Sequence, residues 1–379
     1  MSRPGLWRLL FSVTLAVLVL AVVESASYAF FRLARERFAL ARPEQYVQKP
    51  EAFDPLRRAY DRELGWTHHY DTPFGERPRA REYGHSLALA FGDSFTHGDE
   101  VAHDETWPQA LADLLEADVY NFGVGGYGLD QALLRFRQVS PRIQAPLVLV
   151  AFELRNIDRV VNRYRPFLLP GTGIALPKPR FVLRGGRLEL LPNPIATAEG
   201  LDRLADPAFV ESMGGEDYWY SVARGPLLSF PYTRLLFDRS IWSQALAARS
   251  FRGEVAPRPD EDLWQVAGPR ALYLAVLDAF LGEVTGLGSR PVLVVLPGFH
   301  AFHHLRRSSP VVGLDEVLSH CGSRGYTCFD GLRALVNDPQ GRKADVFFRP
   351  GGHTSPAANR LIATSLAEFL RRRGFADRR

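Results

Sequence analysis

Short apolar runs recur along the chain with helically spaced segments between them. SLALAFG at 86–92, DVYNFG at 118–123 and PLVLVAF at 146–152 are brief and apolar, as strands covered on both faces must be. Between them, Trp107 to Leu115 and Leu129 to Phe136 place apolar side chains three and four residues apart, with Asp104 or Thr106 as the cap of the first. The rhythm returns near the C-terminus. A helix is expected over 271–284, a strand over 291–297, a helix around 314–318, a short strand at 327–329 and a last helix over 357–370. Such alternation predicts a three-layer α/β/α fold with a mostly parallel five-stranded sheet.

Two stretches break the pattern. Residues 163–268 are aromatic and proline-rich, with one hairpin expected over 179–192 around Gly185-Gly186, and read as an insertion. Residues 44–84 lack periodicity and read as an extended lead-in to a main domain at 85–379.

The first 43 residues read as a membrane anchor or signal segment. Arg3 and Arg8 precede an uncharged run from Leu9 to Val23, which reaches spanning length only by continuing through Glu24 to Phe31. An uncleaved anchor over 9–31 is expected, with cleavage near Ala29 as the alternative. Arg32, Arg35, Arg37 and Arg42 oppose export by charge count, but long domains translocate largely regardless of flanking charge. The expected location is therefore the bacterial inner membrane with the domain outside the cytoplasm.

Composition changes the picture only by exclusion. With 46 basic against 42 acidic residues and no basic block interleaved with aromatics, a nucleic-acid partner is not expected. Cys321 and Cys328 are the only cysteines, so they either pair across a short turn or sit buried as thiols.

Candidate chemistry concentrates at the strand ends. Ser94 lies in FGDSFTHG immediately after the first strand, where an open parallel sheet binds its ligands. A serine needs a base, and His353 stands in a glycine-rich loop just before the last helix, with Ser355 or Thr354 as the cap. An oxyanion needs donors, and the glycines of NFGVGGYG after the second strand and Asn156 after the third offer them. His97 is close to Ser94 but too local to serve as its base, and is expected to line the crevice. His300, His303 and His304 cluster without a carboxylate at ligand spacing, so neither a metal nor another cofactor is expected.

These blocks, in this order, resemble the SGNH (GDSL) hydrolase family over roughly 86–164 and 270–372. The resemblance implies a flavodoxin-like sheet and ester hydrolysis or acyl transfer. It makes Ser94 the nucleophile, His353 the base, Gly126 (with Gly125 as the alternative) the backbone donor and Asn156 the side-chain donor, alongside the Ser94 N–H. It also exposes a gap, because the family's triad acid falls at Pro350. Asp345 is the nearest upstream carboxylate and the expected substitute, ahead of Asp330 and Asp338. The expected function is a serine esterase acting on acyl esters, acetyl above all, of an envelope or exported glycan. Alternatives are a glycan O-acyltransferase using the same site, or an inactive glycan-binding subunit, which the missing acid favours.

Overall fold

The computed structural model describes residues 3–34, 46–220, 228–239, 241–242, 262–339 and 344–376. Five strands form one parallel sheet: β1 (Ser86–Gly92), β2 (Asp118–Asn121), β3 (Leu147–Glu153), β4 (Arg290–Leu296) and β5 (Cys328–Asp330), in the order β2-β1-β3-β4-β5. Each pairs in parallel register, with Ala90 opposite Asn121, Gly92 opposite Ala151 and Glu153 opposite Leu296. All strand carboxyl ends therefore meet along one edge.

Successive side chains of a strand face opposite layers, so continuous apolar runs are stable only when both faces are covered. Leu89, Phe91, Leu293 and Val295 join one core with the helices Leu129–Val139, Ala267–Gly286 and Val312–Arg324. Their neighbours Ala88, Ala90, Val292 and Val294 join the other, beneath Trp107–Leu115 and Pro356–Arg372. Thr106 caps the first of these two helices and Ser355 the second.

The helix expected near 314–318 extends over Val312–Arg324, and a helix not expected, Phe299–Arg306, carries the three clustered histidines. His303 packs its ring against Phe299 at 4.4 Å between centroids, while His300 edges a cleft described below. Cys321 and Cys328 form a disulfide.

Residues 46–84 depart most from expectation. They contain the helix Phe53–Ala59 and a two-stranded ribbon, Tyr60–Asp61 with Gly65–Trp66. Tyr46, Phe53, Leu56, Leu64 and Trp66 are buried in the same core as the sheet. Their apolar side chains, too irregularly spaced to show a period, anchor this segment to the domain rather than leaving it extended. The expected hairpin forms as Arg180–Arg184 with Arg187–Leu191. Its approach is pinned by a buried ion pair from Lys178 to Asp130, at the start of the helix after β2.

Candidate active site

The turn after β1 is shaped by close packing. A side chain at Gly92 would stand 2.1 Å from the Ala151 carbonyl oxygen and from Thr96 Oγ1, so only glycine lets this turn lie against β3. Asp93 caps the short helix Ser94–His97, its Oδ1 accepting from Phe95 N at 3.0 Å, and Gly98 at φ +84° ends it. Ser94 thus lies at a helix N-terminus, where backbone N–H groups have no intrahelical acceptor.

His353 reaches this turn from the loop before the last helix. Its ring stands 5.1 Å between centroids from Phe95, the residue after Ser94. Its Nδ1 lies 2.7 Å from Glu100 Oε2, and Glu100 Oε1 accepts from Gly351 N at 3.0 Å. Desolvation raises the Glu100 carboxyl, but the bonds from the His353 ring and the Gly351 N–H outweigh it and hold the group below its usual range. Among the described side chains the acid beside His353 is Glu100; the side chain of the expected Asp345 lies outside the described residues. Asp330 is engaged elsewhere, capping Gly331–Val336 through Arg333 N. Sequence reasoning missed Glu100 because it looked for the acid just upstream of the histidine. The available signal was an acidic pair, Asp99-Glu100, closing the nucleophile's own loop.

Glu100 sits at φ +67°, a region that costs energy for a residue with a side chain. The loop is held from the segment read as a lead-in. Arg77 donates to the carbonyls of His97 (2.5 Å), Gly98 (2.8 Å) and Val101 (2.8 Å). His97 has both ring nitrogens engaged, Nδ1 with Asp99 at 2.5 Å and Nε2 with the Tyr70 hydroxyl at 2.8 Å, and stacks on His68 at 4.5 Å. It is a brace, unavailable as a base. Burial pushes the His68 imidazole down to about 4, so it stays neutral in this stack.

Asn156 does not present its amide to a substrate. It is fully buried, and its Nδ2 donates to Asp93 Oδ2 and to the Tyr127 carbonyl, both at 3.0 Å. Its Oδ1 accepts from Leu129 N at 2.8 Å, which fixes the amide orientation. Both N–H bonds are taken, so the expected oxyanion donor ties three strand ends together instead. Arg159 Nη1 makes the same two contacts, to Asp93 at 3.1 Å and Tyr127 O at 3.0 Å. Desolvation nonetheless raises the Asp93 carboxyl above its usual range.

Gly126 is oriented by its neighbour. Trp66 Nε1 donates to Gly125 O at 2.9 Å, and in a trans peptide the N–H of the next residue points the opposite way. The Gly126 N–H therefore faces away from Trp66, at a residue with φ +81°.

A cleft of about 320 Å³ opens beside Phe95, between the Glu153–Arg155 strand end, Phe299–His300 and the loop 349–352. Glu153, at its base, accepts from Arg155 N at 2.9 Å, and burial pushes its carboxyl from 4.5 to about 7, with Arg159 opposing the shift. Between pH 4.5 and 7 the folded chain then holds a proton that the unfolded chain has lost. Stability falls as pH rises through that window, by about 3 kcal/mol when the shift is complete. Glu153→Gln removes this slope, so its melting temperature relative to the parent rises from pH 5 to pH 8 in calorimetry. An unchanged slope would assign the titration to another group.

No family model and no curated protein matches the chain. Among solved structures it is similar to GDSL lipolytic acylhydrolases. One is a member of the lipolytic G-D-S-L family from Veillonella parvula, at 10% identity over 75% of this chain and 98% of that one, with a TM-score of 0.38. A lipase/acylhydrolase from Enterococcus faecalis is 13% identical over 76% and 96%, at 0.37. An acetyl xylan esterase from Geobacillus stearothermophilus is 13% identical over 79% and 98%, at 0.38. Likeness at this level leaves the chemistry to be read from this chain's own residues.

Proposed function

We propose that this chain is a membrane-anchored serine esterase whose working groups are Ser94, His353 and Glu100. The observation that carries the reading is the 2.7 Å contact of His353 Nδ1 with Glu100, on a ring packed against the residue that follows Ser94. With Nδ1 engaged, Nε2 is the nitrogen left to take the Ser94 proton as Oγ attacks an acyl carbonyl. Glu100 orients the ring and stabilises the imidazolium. The developing oxyanion is met by the Ser94 and Gly126 N–H groups. His353 then returns the proton to the leaving alkoxide, and water, activated by the same histidine, releases the acid. Glu100 also removes the argument for an inactive subunit, since that rested on a missing acid.

The substrate class is an acyl, chiefly acetyl, ester of an envelope glycan, with the domain outside the cytoplasm. Two features support that placement. The N-terminal helix carries an apolar stretch of 24 residues, Leu10–Leu33, whose most apolar 18-residue window has a mean hydropathy of 2.1. The Cys321–Cys328 disulfide suits an oxidising compartment. Purified chain in detergent is expected to hydrolyse p-nitrophenyl acetate and to be labelled by a fluorophosphonate. Absence of both overturns the reading.

A further inference from the structure

The cleft of about 320 Å³ beside Phe95 takes no part in the steps at Ser94, yet its walls adjoin the same groups. Phe95 follows the nucleophile and packs on the His353 ring at 5.1 Å between centroids. Gly351 and Gly352, which also line the cleft, precede His353, and the Gly351 N–H is bonded to Glu100. The larger half of an ester held at Ser94 has this space beside it. Ligand sites run from about 300 to 1,000 Å³, so a cleft at the small end suits one ring rather than a polymer.

The polar end of the cleft is Glu153. Its side chain is 6% exposed, Oε2 accepts from Arg155 N at 2.9 Å, and Oε1 has no hydrogen-bond partner among the described residues. A buried carboxyl at a cleft wall with an unmet oxygen is costly unless water or a ligand answers it. Burial keeps the proton on this group up to about pH 7, so it can donate as well as accept, and a hydroxyl answers both. An anion fits less well, because the carboxyl repels it on ionising and the guanidinium of Arg155 is already tied to Asp158 through Nε and Nη2, both at 3.3 Å. A long alkyl chain also fits less well, since it would strip Oε1 of water and give nothing back. Another wall is aromatic. Phe299 is 40% exposed, and its ring is steadied by Phe348 at 5.5 Å and His303 at 4.4 Å between centroids. The face of such a ring is negative and attracts the C–H groups that one face of a pyranose presents, while the hydroxyls of the sugar project from its edge.

We infer that this cleft is the subsite for a sugar ring in the alcohol half of the ester, with the Phe299 ring as its stacking wall and Glu153 Oε1 meeting a ring hydroxyl. The inference rests on the esterase reading. It makes Phe299 and Glu153 specificity residues of that site.

Acetate release from three esters tests it on the full chain. They are a methyl glucopyranoside acetylated at its primary hydroxyl, cyclohexylmethyl acetate, which keeps the ring without the hydroxyls, and ethyl acetate, which has no ring. The parent is expected to favour the sugar ester over cyclohexylmethyl acetate in kcat/KM by about tenfold or more. Glu153→Leu is expected to bring that ratio close to one. Phe299→Leu is expected to lower kcat/KM for both ring esters several-fold relative to ethyl acetate, mostly through KM, while Phe299→Tyr, which keeps a ring face, holds the parental ratios. Should Glu153→Leu fail to fold, the parental ratio and the Phe299 pair decide alone. Equal kcat/KM on the sugar and cyclohexylmethyl esters, or a Phe299→Leu variant that keeps the parental ratios, overturns the subsite while ethyl acetate turnover leaves the esterase standing. A Phe299→Leu effect on butyrate relative to acetate esters, with the alcohol ratios unmoved, assigns the cleft to the acyl half and also overturns it. No turnover of any ester, p-nitrophenyl acetate included, removes the esterase, and the subsite falls with it.

Discussion

Ser94→Ala is expected to lower ester turnover by about 10³-fold or more and to bring fluorophosphonate labelling to background, while the melting temperature stays close to that of the parent. In the proposed mechanism the Ser94 oxygen forms the acyl bond, and the substitution removes it. His97, the other candidate within reach of the turn, has both ring nitrogens engaged. Packing of the turn rests on Gly92, the Asp93 cap and the Thr96 hydroxyl bonded to Ala151 O, none of which the substitution touches. Steady-state kinetics with p-nitrophenyl acetate and in-gel fluorescence read the two outcomes. A variant that kept a tenth of parental turnover would end the assignment of Ser94 as nucleophile.

Glu100→Gln carries the second large effect. Removing the carboxylate leaves an amide that can still meet the His353 ring but cannot stabilise the imidazolium formed when Ser94 gives up its proton. In the serine-protease template the matching change lowers turnover about 10⁴-fold, and a loss of 10² to 10⁴ is expected here. Glutamine tolerates φ +67° no worse than glutamate does, so the loop and its Arg77 contacts persist and the loss falls on kcat more than on KM. Asp345→Asn, made in parallel, is expected to change turnover by less than about threefold if Glu100 is the acid, because a side chain outside the working groups has little effect on them. If the Asp345 variant lost more activity than the Glu100 variant, the acid would have to be reassigned.

Elements whose pattern is set by burial were legible in the sequence. β1, β3 and β4 are covered on both faces, so their apolar runs were visible, and the caps Thr106 and Ser355 followed from side chains that can accept from helix N–H groups. Ser94 and His353 were legible as strand-end and loop residues of the right chemical type. Glu100 went unremarked and the partners of Asn156 went unforeseen for a common reason. A hydrogen-bonding partner is chosen by proximity in the fold, and nothing periodic ties residue 100 to residue 353 or residue 156 to residue 93. The segment 46–84 failed differently. It binds through single aromatic anchors such as Trp66 and through Arg77 on backbone carbonyls, and neither leaves a repeat.

The order in which the sheet can be assembled bears on when this chain becomes reactive. β1, β2 and β3 follow one another through short connections carrying one or two helices, whereas β4, the other neighbour of β3, begins at Arg290, after the whole insertion. Closing that long loop costs more chain entropy, and pairing across it forms late when contacts are made in order of separation. The Ser94 turn therefore belongs to the part of the chain that can organise early, and His353 to the part that organises last. A chain still being synthesised or exported, with its C-terminal third unfolded, would hold a serine in place with no base beside it. If the proposed mechanism holds, reactivity toward esters arises only on completion of the fold, when the loop bearing His353 closes onto Glu100.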